Sequence, residues 1–181
     1  MTYTSITSST QVSSLPDILN GVTTRTVLGQ LATGPATSAT FGVTCGLYAA
    51  EFGLNDNATL LFPIPLRVDN SVAPTLRIWT APCASEASKE VEFTLASDQA
   101  TASNSPVAGT GGDTWTTADL ALSGTLGTIE QHDTTLGTAI WESATAGLIA
   151  AKLTRTAITD GTELTADCAV LAAALVYSIE R

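Results

Sequence analysis

The only histidine of the chain, His132, is the residue best suited to acid–base chemistry. It lies among carboxylates, in the segment Glu130–Gln131–His132–Asp133, where it could act as a general base. A general base needs a nucleophile to activate, and the sequence has no GxSxG elbow to present one. We therefore predict that the chain has no catalytic residues and is not an enzyme, and that His132 lies in a polar loop or an interface.

The acidic segment 160–167 is the second place where chemistry could occur. It carries the carboxylates of Asp160, Glu163 and Asp167, and clustered oxygens are the ligands that Ca²⁺ prefers. Their spacing does not match an EF-hand loop, so we interpret the segment as a solvated turn. Residues 110–113, Thr-Gly-Gly-Asp, lack the lysine of a phosphate-binding loop. We predict no metal site and no cofactor.

Three tryptophans, Trp79, Trp115 and Trp141, would form a sugar-binding platform if they were exposed together. Trp79 lies in a strand pattern and is expected in the core or at an interface. Trp115 lies in a polar segment and is the best candidate for an exposed contact. A glycan-binding function therefore stays open as an alternative.

The charge of the chain excludes several partners. Its 181 residues carry a net charge of −10, and only seven are Lys or Arg. Binding to nucleic acid or to an anionic membrane requires a basic patch, and these few cations are scattered. The three cysteines, Cys45, Cys83 and Cys168, form no CxxC pair, and we interpret them as reduced, buried thiols, with one disulfide or a metal site as alternatives.

The elements that must position these residues follow a period of two. Apolar and polar residues alternate in segments without helical periodicity between them, which predicts an all-β, antiparallel sandwich or barrel. The prolines at 63 and 65 imply an edge strand or a bulge, and residues 97–118 read as a surface loop with a helical turn near its end. The apolar members of the alternating segments are Phe41, Val43, Cys45 and Leu47; Leu60, Phe62, Ile64 and Leu66; Leu76 and Ile78; and Val91, Phe93 and Leu95.

The last strand, at 169–179, is apolar on both faces. This pattern is typical of a central strand that is covered by the core on one side and by a neighbour or a partner subunit on the other. An exposed face of this kind would promote aggregation, so we predict a homo-oligomer.

The N-terminal 30 residues are predicted to be an arm with a short helical turn opened by Ser14, and residues 31–181 the sandwich. The arm has neither a basic segment nor an apolar run of secretory type, so we expect a product that stays soluble in the cytoplasm or joins an assembly. Its apolar side chains are spaced among Ser and Thr, and we predict that they bind the scaffold or a neighbouring copy, unless the arm is the first strand of its own sandwich. These residues are Tyr3, Ile6, Val12, Leu15, Ile18 and Leu19.

Residues 60–181 resemble a jelly-roll module found among the virion proteins of tailed bacteriophages. Three features carry the resemblance: the segment 76–82, LRIWTAP, with its Trp-x-x-Pro; the alternating strand 91–95, VEFTL; and Arg155 followed by the acidic segment and the long strand that ends in Tyr177. The sequence departs from the pattern after Arg155, where Thr-Ala-Ile replaces an acidic continuation.

This resemblance implies a jelly-roll β-sandwich and a structural virion protein, most simply a capsid decoration (cement) protein. It also implies a homotrimer whose partners are copies of itself and the major capsid protein or another virion protein. The chain would be made in the host cytoplasm and lie on the capsid surface. The alternative is a receptor- or glycan-binding module of a phage fibre or tail.

Overall fold

The alternating segments form two stacked antiparallel sheets. The computed structural model describes residues 24–32, 39–44, 46–63, 67–98, 111–145 and 148–179. Within these ranges lie one 3₁₀ helix, Thr138–Ser143, and the strands β1 (Thr24–Ala32), β2 (Thr40–Thr44), β3 (Leu47–Phe52), β4 (Asn57–Pro63), β5 (Thr75–Pro82), β6 (Lys89–Asp98), β7 (Gly111–Thr116), β8 (Leu120–Leu122), β9 (Glu130–Thr135), β10 (Ala144–Thr145), β11 (Leu148–Thr156) and β12 (Cys168–Ser178). None of the described helices is long and apolar enough to cross a bilayer.

The first sheet is built around β12, which pairs with β5 along one edge. The strands β2, β3 and β9 complete this sheet, and β4, β6, β7, β8, β10 and β11 form the second. Strand β1 belongs to both: Thr24–Gly29 pair with β12, and Gln30–Ala32 pair with β4. The predicted fold class, an all-β antiparallel jelly-roll sandwich, is confirmed.

The core lies between the sheets and follows the predicted alternation. Leu76 and Ile78 of the first sheet and Phe93 of the second are fully buried, and the Phe52 and Phe93 rings meet edge to face at 5.7 Å. No described residue of β12 is exposed, and this strand is internal as predicted. Each aromatic or aliphatic side chain buried in this way stabilises the fold by about 1.5–3 kcal/mol.

Several predicted boundaries need correction. The chain reverses between Thr44 and Leu47, where Gly46 has a φ of 78°, so the predicted strand at 41–48 is a hairpin. Strand β4 is not an edge strand, because it lies between β1 and β11; Pro63 is its last residue, which costs no interior ladder bond. The segment 117–122 contains β8, at Leu120–Leu122, and no helical turn.

The division of the chain at residue 30 falls inside β1, so the sandwich includes residues from Thr24 onward. The six arm residues Tyr3, Ile6, Val12, Leu15, Ile18 and Leu19, and the helical turn at Ser14, lie outside the described residues.

Candidate docking hollow

An apolar hollow opens where β1 leaves the first sheet. Strand β12 pairs with β3 as far as Val170 and with β1 from Ala173, and a bulge at Leu171 lies between the two pairings. The gap between the β2–β3 hairpin and β1 leaves a space of about 110 Å³. This docking hollow is lined by Leu31, Phe41, Tyr48, Ala49, Ala50 and Leu171.

The rim of the docking hollow exposes unusually large apolar side chains. Tyr48 and Val43 are directly opposite each other on the hairpin, and each is 78% exposed. Phe41 and Ala50 lie two pairs further along, on the same face, and contact the core. The face of the hairpin that contacts the core at Phe41 and Ala50 is therefore exposed to solvent at Val43 and Tyr48.

The lining has one polar side-chain group, the phenol of Tyr48, and no charged side chain. Its volume equals that of three to four waters at about 30 Å³ each, which is the size of a branched aliphatic side chain. Chemically, such a site can bury an apolar group and donate or accept one hydrogen bond at its rim.

The outer strand of the hairpin adjoins this hollow. Strand β2 pairs with β3 alone among the described strands.

His132 does not form a catalytic pair in the described structure. It lies on β9, opposite Ile78 of β5, and its Nε2 atom is buried without a hydrogen-bond partner among the described residues. Burial lowers the pKa of His132, and the charges of Glu130 and Asp133 oppose this shift. His132 lies in a strand and not in a polar loop, and its place at an interface stays a prediction.

The lowered pKa of His132 predicts a pH-dependent stability. The unfolded chain binds a proton near pH 6.5, whereas the folded chain binds it only at lower pH. The free energy of unfolding should therefore fall as the pH falls below 6.5, and the slope should be smaller in His132→Gln. Urea denaturation of both proteins across this range tests it, and identical slopes would show that His132 plays no part.

The acidic segment 160–167 is tied down by Arg155, which is 1% exposed. Arg155 donates to Glu163 Oε1 at 3.0 Å and to the carbonyl oxygens of Phe52, Leu164 and Ala166. Among the described residues, no group of three or more His, Cys, Asp or Glu side chains is arranged to hold a metal ion. The segment is therefore a loop organised by a buried cation rather than a freely solvated turn.

Two carboxyl groups meet beside this loop. Asp167 shares a side-chain hydrogen bond with Glu51 of β3. Burial raises the pKa of Asp167, and the hydrogen bond and charge of Glu51 raise it further; Asp56 adds to this effect and Arg155 opposes it. Two carboxylates this close repel each other when both are ionised.

We expect Asp167→Asn to be more stable than the parent protein at neutral pH. A raised folded pKa means that the stability contributed by Asp167 is complete below its unfolded pKa and is lost as the pH rises through the folded value. The advantage of the variant should therefore shrink as the pH falls toward 3.8. Urea denaturation checks this with the exposed Asp113→Asn as control, and a variant less stable than the parent at neutral pH would contradict it.

The tryptophans do not assemble into a platform. Trp115 lies in β7 and is half-buried against the core, which corrects the expected exposed contact. Trp141 also packs against the core, donates to the Val72 carbonyl at 3.0 Å and meets the Tyr177 ring edge to face. Trp79 is half-exposed on β5. The exposed aromatic surface at the docking hollow is instead that of Tyr48, which the sequence analysis did not select.

The interpretation of three reduced cysteines is wrong, and the alternative of one disulfide is confirmed. Cys83, at the end of β5, is disulfide-bonded, and its partner lies outside the described residues. Cys168 is a free, buried thiol as expected, and burial raises its pKa to about 12. This thiol is therefore unreactive at neutral pH.

No protein-family model matches the chain, and no curated protein matches it either. Two similar solved structures are a CBM35 module of Abf62 from Cellvibrio japonicus, and a family 35 carbohydrate-binding module from an environmental isolate. The first has 12% identity and a TM-score of 0.44, covering 88% of this chain and 96% of that one. The second has 8% identity and a TM-score of 0.41, with coverages of 85% and 92%. Similarity this low carries no argument about function.

Proposed function

We propose that this chain is a non-catalytic binding module that docks onto other proteins in a larger assembly through the docking hollow. The observation that carries the proposal is the exposed pair Tyr48 and Val43 above an uncharged apolar space. Burying these two side chains would contribute about 3–6 kcal/mol before the costs of association. In the free chain this surface is in contact with water, where it promotes association.

We further propose that the assembly is the virion of a tailed bacteriophage, with the chain as a decoration protein on the capsid. The support is the sequence resemblance carried by residues 76–82, 91–95 and 155–177. The disulfide at Cys83 agrees with a place on the virion surface, as it does with any place outside the reducing cytosol.

Particle binding tests this proposal. Particles that lack the chain, made by deleting its gene from the phage that encodes it, are mixed with purified chain and pelleted through a cushion. We expect the chain to pellet with the particles in a saturable manner. Its absence from wild-type particles by mass spectrometry, or no co-sedimentation with the depleted ones, would overturn the virion assignment.

Glycan binding is the second candidate, and the exposed ring of Tyr48 is the observation that favours it. An aromatic face can stack on a sugar, and the phenol can hydrogen-bond a sugar hydroxyl. On a glycan array, this function predicts retention that Tyr48→Trp preserves and Tyr48→Ala abolishes. Protein docking predicts no retention, because the rest of the lining has no polar side-chain group to orient a sugar.

A further inference from the structure

We propose that Cys83 is joined to Cys45, and that this disulfide holds the outer half of the β2–β3 hairpin in the position that docking requires. The inference rests on the proposed function, because Tyr48 and Val43, at the rim of the docking hollow, lie on this part of the hairpin. It goes beyond that function by naming the cross-link that positions the surface, and it makes docking sensitive to reducing agents.

The partner of Cys83 follows from the cysteine content of the chain. The chain has three cysteines, and Cys168 is a free thiol. Cys83 is disulfide-bonded, so within one chain only Cys45 can be its partner. The described residues agree with this assignment, because the hydroxyl oxygen of Thr44 lies 3.6 Å from Cys83 Sγ and Cys45 is the next residue in the sequence. Consecutive Cα atoms are about 3.8 Å apart, so chain connectivity brings this cysteine within reach of Cys83.

The outer half of the hairpin extends beyond the contact between β3 and β12. In the described part of the chain, β12 pairs with β3 only over residues 50–52. The three outer pairs of the hairpin, which join 42–44 to 47–49, lie past this contact. Pairing with β12 therefore fixes the base of the hairpin and not its outer half. A disulfide near the turn adds a covalent link at the end that carries Val43 and Tyr48.

Cys83 lies where such a link would act. It directly follows β5, which pairs with β12 along the edge opposite the hairpin. Its backbone N–H donates to the carbonyl oxygen of Asp167 at 3.0 Å. Its side chain and that of Leu47, on the outer half of the hairpin, pack against the same buried alanine cluster. One end of the disulfide is thus fixed to the sheet, and the other lies near the turn of the hairpin.

Loss of this link should weaken docking while the main core of the sandwich, which does not include Cys83, stays folded. A disulfide limits the open positions of the segments that it joins, and a surface that is already ordered loses less entropy on binding. In the reduced chain, Tyr48 and Val43 would have to be ordered again on docking. We therefore expect the affinity to fall by about tenfold. Dithiothreitol breaks the S–S bond by supplying two electrons and two protons, which leaves two protein thiols and the cyclic disulfide of the reagent.

Peptide mapping and hydrogen exchange of the full chain test the link itself. Trypsin cleaves after Arg and Lys, which places Cys45 in peptide 26–67, Cys83 in 78–89 and Cys168 in 156–181. Without reduction, we expect the first two peptides to be joined, in a chain of monomeric mass, and the third to be free. Amide exchange over 42–49 should be faster in the reduced chain and in the double variant Cys45→Ser, Cys83→Ser than in the parent. Exchange in β6 and β11 should change less.

Sedimentation with the depleted particles tests the effect on docking. We expect the double variant and the reduced parent to bind about tenfold more weakly than the oxidised parent. Dithiothreitol should leave the binding of the double variant unchanged, which controls for any effect of the reagent on the particles. Circular dichroism verifies that each chain is folded, and the reduced parent gives the same comparison without a substitution.

A Cys83 peptide that is unlinked or joined to a second chain, or unchanged exchange over 42–49, would overturn the inference. If the oxidised parent binds particles and the double variant binds equally well, the proposed function stands and this inference fails. If the parent does not bind, the proposed function fails, while peptide linkage and hydrogen exchange still decide whether the disulfide positions the hairpin.

Discussion

Replacing Arg155 by Met should lower the free energy of unfolding by about 3–5 kcal/mol, a large share of the stability of a domain of this size. The guanidinium is buried and joins β11 to the end of β3 and to the acidic loop. Methionine fills similar space but donates no hydrogen bond. The carbonyl oxygens of Phe52, Leu164 and Ala166 would lose a donor, and each buried group left unpaired costs about 1–3 kcal/mol.

Arg155→Lys should recover little of this loss, because an ammonium cannot reproduce the forked geometry that contacts four acceptors. Arg77→Met is the matched control: Arg77 forms a two-point ion pair with Asp133, but on the exposed face of the sheet. Its loss should have a much smaller effect on the free energy of unfolding, because an exposed ion pair contributes little to stability. Urea denaturation at neutral pH measures the free energy of unfolding of all three variants. Equal losses for Arg155→Met and Arg77→Met would show that the buried hydrogen bonds of Arg155 do not stabilise the fold.

The second large effect is on docking. Tyr48→Asp should weaken association at least tenfold, because about 1.5–3 kcal/mol of apolar burial is lost and a carboxylate must be desolvated. The same change should alter the unfolding free energy by no more than about 1 kcal/mol, since Tyr48 is 78% exposed. Tyr48→Phe should bind nearly as well as the parent, because the ring is retained.

Leu126→Asp is the control for this second prediction, since Leu126 is an exposed apolar residue that does not line the docking hollow. Sedimentation with depleted particles measures the affinities. Equal binding by Tyr48→Asp and the parent protein, with both folded, would show that the docking hollow takes no part in association.

The strands that could be predicted are those in which apolar and polar residues alternate as the side chains alternate between core and surface. In β5 and β6, every second residue from Leu76 and from Val91 meets the core, so the alternation in the sequence records the two faces. Strand β12 is internal because β1 and β3 pair along one of its edges and β5 along the other. One of its faces enters the core, and no described residue on the other face is exposed.

The errors have local physical causes. The alternation at 41–48 continued through a tight reversal, because the two strands of a hairpin share one polarity pattern and only Gly46 marks the turn. The polar surroundings of Trp115 suggested exposure, but β7 pairs with β6 and brings the indole against the core.

The docking hollow could not be predicted, because it belongs to no single segment. Its lining comes from four strands, at residues 31, 41, 48–50 and 171, which only the tertiary pairing brings together. The contacts of Arg155 could be predicted in part. The sequence drew attention to Arg155 and the acidic segment after it, and the structure shows that Glu163 is its ionic partner.

A three-dimensional reconstruction of the assembly that contains this chain tests the central claim most directly. The account predicts that Tyr48 and Val43 are buried against another polypeptide and that a side chain of that polypeptide occupies the docking hollow. A reconstruction in which the hollow and both side chains face solvent, while another surface of the sandwich makes the contacts, would contradict it.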